Sequence, residues 1–301
     1  MSDASITPSG NLQNGLQLRE RVLYAGSCQS IAPADRFVAA HAAGFTAVTL
    51  FTSDVMRAAA DGLEPEALRA AMDDAGLKLE SYEIVGNWIA GQDRAAKNLP
   101  GEIAAMLLSK TPQDICRTAT TLGARSVTLA DLFGVPFDLE KVGAALREVC
   151  IVAADHGLGV AVELIPGSCI GNVAQAAQVL GQADCTNAGL LIDSWHFFRS
   201  GSKIEDVASL PPEWIMAWQM NDASLTPMRA DPYEDMMTRL MPGEGAFDLA
   251  ALMQAIAATG ARAAGGIEVF SPSPATPSAS EIASRSATAL DYCISLAGAT
   301  R

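Results

Sequence analysis

Eight short apolar runs alternate with amphipathic segments along almost the whole chain. The runs are VLYAG (22–26), TAVTLF (46–51), LKLESYEI (77–84), SVTLA (126–130), GVAVEL (159–164), AGLLID (188–193), IMAWQM (215–220) and GGIEVF (265–270). Runs this apolar, with little polar alternation, predict strands of a parallel sheet covered on both faces. The segments between them are rich in Ala and Leu, most clearly at 33–43, 64–75, 111–122, 139–155, 172–180, 249–259 and 280–297. Several open on helix-start signals: Pro33 and Pro112 fall in a first turn, and Asp248 precedes Leu249. Gly44, Gly76, Gly123, Gly157 and Gly260 stand where a left-handed residue would stop a helix. Eight repeats of this pattern predict an α/β chain closed into a (β/α)8 (TIM) barrel as a single domain. The barrel is expected over residues 21–301, with 1–20 a flexible arm and SPSPATPS (271–278) the final βα loop. A doubly wound open sheet is the alternative, but no GxGxxG follows any strand, so dinucleotide binding has no support.

The 301 residues are 50% hydrophobic and 18% charged, enough to bury a core of this size. The net charge of -14, from 34 acidic and 20 basic residues, opposes a phosphate backbone, and no dense Lys/Arg run offsets it. Nucleic acid is therefore not an expected partner. The cysteines at 28, 116, 150, 169, 185 and 293 form no CxxC or Cys/His cluster and read as reduced thiols in core sites. The first fifteen residues lack a basic region followed by an apolar one, and no apolar stretch reaches 18 residues. A cytoplasmic protein outside the membrane is expected.

Four polar residues sit at or near the ends of the last four apolar runs: Glu163, Asp193, Gln219 and Glu268. In a barrel of this kind the chemistry sits at the C-terminal strand ends, so these four would converge at one mouth. Carboxylates and a carboxamide are costly to bury there without partners. One shared metal ion is the simplest partner.

From residue 162 onward the chain resembles the xylose isomerase-like barrels, a group of sugar isomerases, epimerases and related lyases. The resemblance is carried by VEL around Glu163, AGLLIDSWHFFRSG (188–201), WQMNDA (218–223), RLMPGEGAFDL (239–249) and IEVFSP (267–272), with an AGF turn at 43–45. It implies that Glu163, Asp193, Gln219 and Glu268 hold a divalent cation. Gln219 stands where many members carry histidine, which makes the donor set all oxygen and favours Mg²⁺ or Mn²⁺ over zinc. Dehydratases of the 3-dehydroshikimate dehydratase type also carry Gln there. The DNA-repair endonucleases of the group need many histidine ligands, and this chain has only His41, His156 and His196.

Removing a proton next to a carbonyl needs a base and a polarised carbonyl. The resemblance gives the acid and base roles to Glu163 and Glu268. His196, three residues past Asp193, is a candidate substrate contact or a packing histidine beside Trp195. Arg239 is expected to face substrate, where a guanidinium holds a carboxylate or sugar oxygens. Arg199 could orient its loop or meet an acidic substrate, and Glu244 reads as structural or exposed. Tyr82, Trp88 and Trp195 are candidate rim aromatics. The expected function is a divalent-metal-dependent isomerase or epimerase of a small keto-sugar or polyhydroxy carbonyl compound, acting as a homo-oligomer or alone. A dehydratase of the 3-dehydroshikimate type and a non-catalytic metal-binding barrel are the alternatives.

Overall fold

A computed structural model describes residues 12–13, 16–92, 99–270 and 277–298. The expected N-terminal arm and the SPSPATPS loop lie largely outside the described residues. Eight parallel strands form a closed barrel: β1 Leu16–Leu23, β2 Ala47–Phe51, β3 Lys78–Val85, β4 Ser126–Leu129, β5 Gly159–Glu163, β6 Ala188–Asp193, β7 Ile215–Met220 and β8 Arg262–Ile267. Each strand pairs with the next, and β8 closes on β1 with Val22 opposite Gly266 and Leu23 opposite Ile267. A two-residue strand, Leu12–Gln13, runs antiparallel to β1.

Six strands lie within a residue or so of their apolar runs. The first and last begin earlier than their sequences suggest, for two physical reasons. β1 starts at Leu16, and its polar Arg19, Glu20 and Arg21 find partners: Arg19 pairs with Glu80, Glu20 with Lys78 and Arg21 with Asp291. Those charges hide the strand from a hydrophobic pattern. β8 reads RAAGGI, a poor strand by propensity. Its glycines answer to packing, because a Cβ at Gly265 would meet the Trp218 indole and one at Gly266 the Val22 carbonyl.

The seven anticipated helices are all present. Thr111 opens Pro112–Leu122 with a capping box, its hydroxyl accepting from the Asp114 N–H, and Gly123 closes it at φ 74°. Gly44, Gly76, Gly157 and Gly260 also take positive φ. Five short helices were not legible in the sequence: Thr52–Ala60, Gly101–Leu108, Ser194–Arg199, Ile204–Ala208 and Pro232–Met236. At five to nine residues they carry too few turns to show a periodicity.

Two apolar layers follow from strand alternation. Leu190 and Ile192 on β6, like Val160 and Val162 on β5, are buried outward against the helices. Each such side chain contributes about 2 kcal/mol through burial. Val22, Tyr24, Ala47, Ala161, Leu191, Ala217 and Ala264 point inward and fill the barrel. The six cysteines are free, and five of them are buried.

Candidate metal centre and catalytic cavity

The inward alanines and leucine fix where the strand-end polar groups point. Two residues beyond Ala161, Leu191 and Ala217 come Glu163, Asp193 and Gln219, on the same face of their strands. Glu268 is four residues beyond Ala264 and one past the end of β8. Asp193 and Gln219 are register partners across β6 and β7. Glu163, Asp193 and Glu268 each offer a carboxylate oxygen, and these oxygens all lie within 4.8 Å of one another. All four side chains are buried.

Gln219 Oε1 is shielded from solvent and has no hydrogen-bond partner. A buried carbonyl oxygen left so costs about 1–3 kcal/mol unless something else coordinates it. The carboxylates are better supported. Asn221 Nδ2 donates to Asp193 Oδ2 at 2.8 Å, and the Ser194 hydroxyl pins Asn221 by donating to its Oδ1 at 2.9 Å. Asp193 Oδ1 accepts the His196 N–H at 3.0 Å, which caps the helix Ser194–Arg199 and sets His196 beside the cluster.

Arg239 ties the group together. Its Nη1 lies 3.2 Å from Asp193 Oδ2 and 3.4 Å from Glu268 Oε2, while Nη2 lies 3.2 Å from His196 Nε2. A guanidinium only donates, so His196 Nε2 accepts and its proton sits on Nδ1. The same Nε2 is 3.5 Å from Glu163 Oε1. The Arg239 guanidinium stands over the rings of Phe270 and Trp195, 4.8 and 5.5 Å from their centroids. Three ionised carboxylates and one guanidinium sum to -2, the charge one divalent cation neutralises. The donor set fits such an ion: three carboxylates and an orphan carbonyl oxygen, with no lysine lining the cavity among the described residues.

Burial dominates the electrostatics. It pushes the Glu163 carboxyl well above the usual range, with Glu268 and Asp193 adding and Arg239 opposing. Burial also raises Asp193, against Arg239 and the hydrogen bonds from His196 and Asn221. Glu268 is pushed up to about 7, by burial and by Asp193, with Arg239 opposing. His196 is held well below its ordinary value by burial and then by Arg239, so it is neutral at pH 7.

A cavity of about 610 Å³ opens over these groups, lined by Glu163, His196, Gln219 and Glu268 and walled by apolar side chains including Phe51, Met236 and Phe270. Asp193 and Arg239 lie outside its lining, so the arginine expected to face substrate is instead bonded to the cluster. Arg199 orients its loop: it donates to Asp235 Oδ2 at 2.9 Å and to the carbonyls of Ser224 and Leu225. Glu244 is exposed and pairs with Arg285 at 3.4 Å. Tyr82, Trp88 and Trp195 are packing residues outside the lining. His156 stands at a helix end against Thr120. Two buried residues escaped the sequence analysis. Asn221 was visible only as a polar residue following the β7 run. Glu83, on β3, lines the cavity with Oε1 unpartnered.

A family model described as a xylose isomerase-like TIM barrel matches residues 37–291. The chain is 29% identical to a 3-dehydroshikimate dehydratase of Pseudomonas aeruginosa over 239 residues, covering 78% of this chain and 36% of that protein. It is 28% identical to an inosose isomerase of Bacillus subtilis over 162 residues, 52% of this chain and 57% of that one. The chain thus spans about a third of the first relative's length and under two thirds of the second's. Among solved structures, the IolI protein with a binding zinc atom superposes with a TM-score of 0.75 at 17% identity, over 92% of this chain and 98% of that one.

Proposed function

The chain belongs to the xylose isomerase-like TIM barrel family, and from that membership we propose that it is a divalent-metal-dependent isomerase or epimerase of a small polyhydroxy carbonyl compound. The observation that carries the assignment is the convergence of three carboxylate oxygens within 4.8 Å beside the orphan Gln219 Oε1. Glu163, Asp193, Gln219 and Glu268 would hold the ion, and the all-oxygen set favours Mn²⁺ or Mg²⁺. When bound, the cation supplies a Lewis acid that makes the carbon next to a substrate carbonyl more acidic.

The chain's own groups do the rest. Glu163 and Glu268 rise from β5 and β8 and line the same cavity, so substrate between them has a carboxyl on either side. Glu268 is suited to take a proton from carbon and Glu163 to return one, because both carboxyl groups line the cavity. Neutral His196 offers a hydrogen bond to a substrate hydroxyl. Arg239 acts as a positioning residue that fixes Asp193, Glu268 and His196.

A dehydratase is the second assignment, favoured by the match to 3-dehydroshikimate dehydratase across 78% of this chain. It begins with the same proton removal and ends in loss of water. Both depend on the intact set of donors.

Purified protein supplied with Mn²⁺ or Mg²⁺ should be incubated in D₂O with inosose and, separately, with 3-dehydroshikimate. Deuterium incorporation with ketone retained supports the isomerase; a new aromatic absorbance supports the dehydratase. Glu268→Gln should keep the fold and remove either activity. Full turnover in that variant would sink the mechanism.

A further inference from the structure

The mouth carries one buried acid that the proposed metal chemistry does not use. Glu83 lies near the end of β3, four strands round from β7 and so across the barrel from Gln219. It is 3% exposed, and its register partners are Phe51 on β2 and Thr128 on β4. Oε1 has no hydrogen-bond partner, and Glu83 lines the same cavity as Glu163, His196, Gln219 and Glu268.

A buried carboxyl oxygen left unsatisfied is costly, and it is tolerated where a ligand completes it. The rest of the lining decides what kind of ligand that is. Among the described residues, the only cation on the cavity wall is Arg57. Its guanidinium is committed to Asp54 at 2.7 Å and to the Gln29 carbonyl at 2.9 Å. Among the described residues, a substrate carboxylate beside Glu83 would have no free guanidinium to meet it. A hydroxyl group satisfies the Glu83 carboxyl in either of its protonation states, by donating to it or by accepting from it.

We propose that Glu83 is a specificity-determining residue, whose carboxyl group hydrogen-bonds a hydroxyl of an uncharged cyclic polyhydroxy ketone and discriminates against carboxylate-bearing rings. The proposal rests on the functional assignment above and names the substrate class of that same cavity. Burial raises the Glu83 carboxyl well above its ordinary range, with Glu268 and Glu163 adding, so it is also equipped to donate.

Inosose, an uncharged polyhydroxy ring ketone, and 3-dehydroshikimate, a ring of similar size carrying a carboxylate, are suitable probes. Binding to Mn²⁺-loaded protein by calorimetry and KM by turnover should be measured for wild type, Glu83→Leu and Glu83→Gln. Wild type should prefer inosose. Glu83→Leu should raise the inosose KM and Kd about tenfold, and Glu83→Gln should recover most of that. Both should narrow the preference over 3-dehydroshikimate and leave Mn²⁺ affinity unchanged. An inosose Kd in Glu83→Leu equal to wild type overturns the role of Glu83 while leaving the metal enzyme standing, and loss of Mn²⁺ binding in Glu83→Gln overturns it by making Glu83 part of the metal site. Preference of wild type for 3-dehydroshikimate overturns the substrate class. A wild type that binds Mn²⁺ but neither probe overturns both this proposal and the assignment it rests on.

Discussion

Arg239 Nη1 lies 3.2 Å from Asp193 Oδ2, and both side chains are fully shielded from solvent. Removing one partner of such a pair leaves an uncompensated buried charge and costs about 3–5 kcal/mol. Arg239→Ala should therefore lower the unfolding free energy of chelator-treated protein, read from its urea transition, by about that amount, with a lower midpoint. Added Mn²⁺ should recover part of the loss, because a cation replaces the missing positive charge. An unchanged midpoint would mean that Arg239 contributes nothing net to the cluster.

Glu268 should make the metal-free protein pH-sensitive. Its carboxyl moves from 4.5 to about 7 on folding, so the folded chain holds this proton more tightly than the unfolded chain does. The resulting stabilisation is fully present below pH 4.5 and is lost as pH rises through 7. It amounts to on the order of 3 kcal/mol, and Glu163 and Asp193, also raised, act in the same direction. Melting temperatures of chelator-treated protein from pH 4.5 to 8 should fall, and Glu268→Gln should flatten the curve. A rise over that window would contradict the burial assigned to Glu268.

Gly26 leaves room for Glu268. A Cβ in its place would stand 2.5 Å from Glu268 Oε1. Gly26→Ala should push Glu268 out of line and cut kcat about tenfold or more. Wild-type kcat in this variant would show that the carboxylate is free to move.

Gln219 should control which metal is preferred. Gln219→His puts an imidazole nitrogen among the carboxylates, a set that suits zinc better. Competitive titration of Mn²⁺ against Zn²⁺ should shift toward Zn²⁺ relative to wild type. An unaltered ratio would place Gln219 outside the coordination sphere.

Much of this arrangement was legible because a parallel barrel writes its strands as continuous apolar runs. AGLLID and IMAWQM match β6 and β7 residue for residue, and their terminal or near-terminal polar groups stood out for that reason. β1 was harder to see, since Arg19, Glu20 and Arg21 are strand residues paired with partners distant in sequence. Glu83 was invisible as a site residue for a related reason. Its strand, KLESYEIV, carries Glu80 as well, and Glu80 pairs with Arg19 while Glu83 faces the cavity. Only the fold distinguishes a paired acid from an unpartnered one. Arg239 shows the converse: its loop placed it near the mouth, but its bonds to Asp193, Glu268 and His196 depend on three separate segments.

The central claim is that Glu163, Asp193, Gln219 and Glu268 together hold one divalent cation. Calorimetric titration of chelator-treated protein with Mn²⁺, run beside Glu163→Gln and Asp193→Asn, tests it most directly. One ion per chain is expected for wild type, with affinity falling by about 100-fold or more in each variant, beyond the usual loss from an outer-shell change. No binding by wild type, or equal binding by all three proteins, would contradict it.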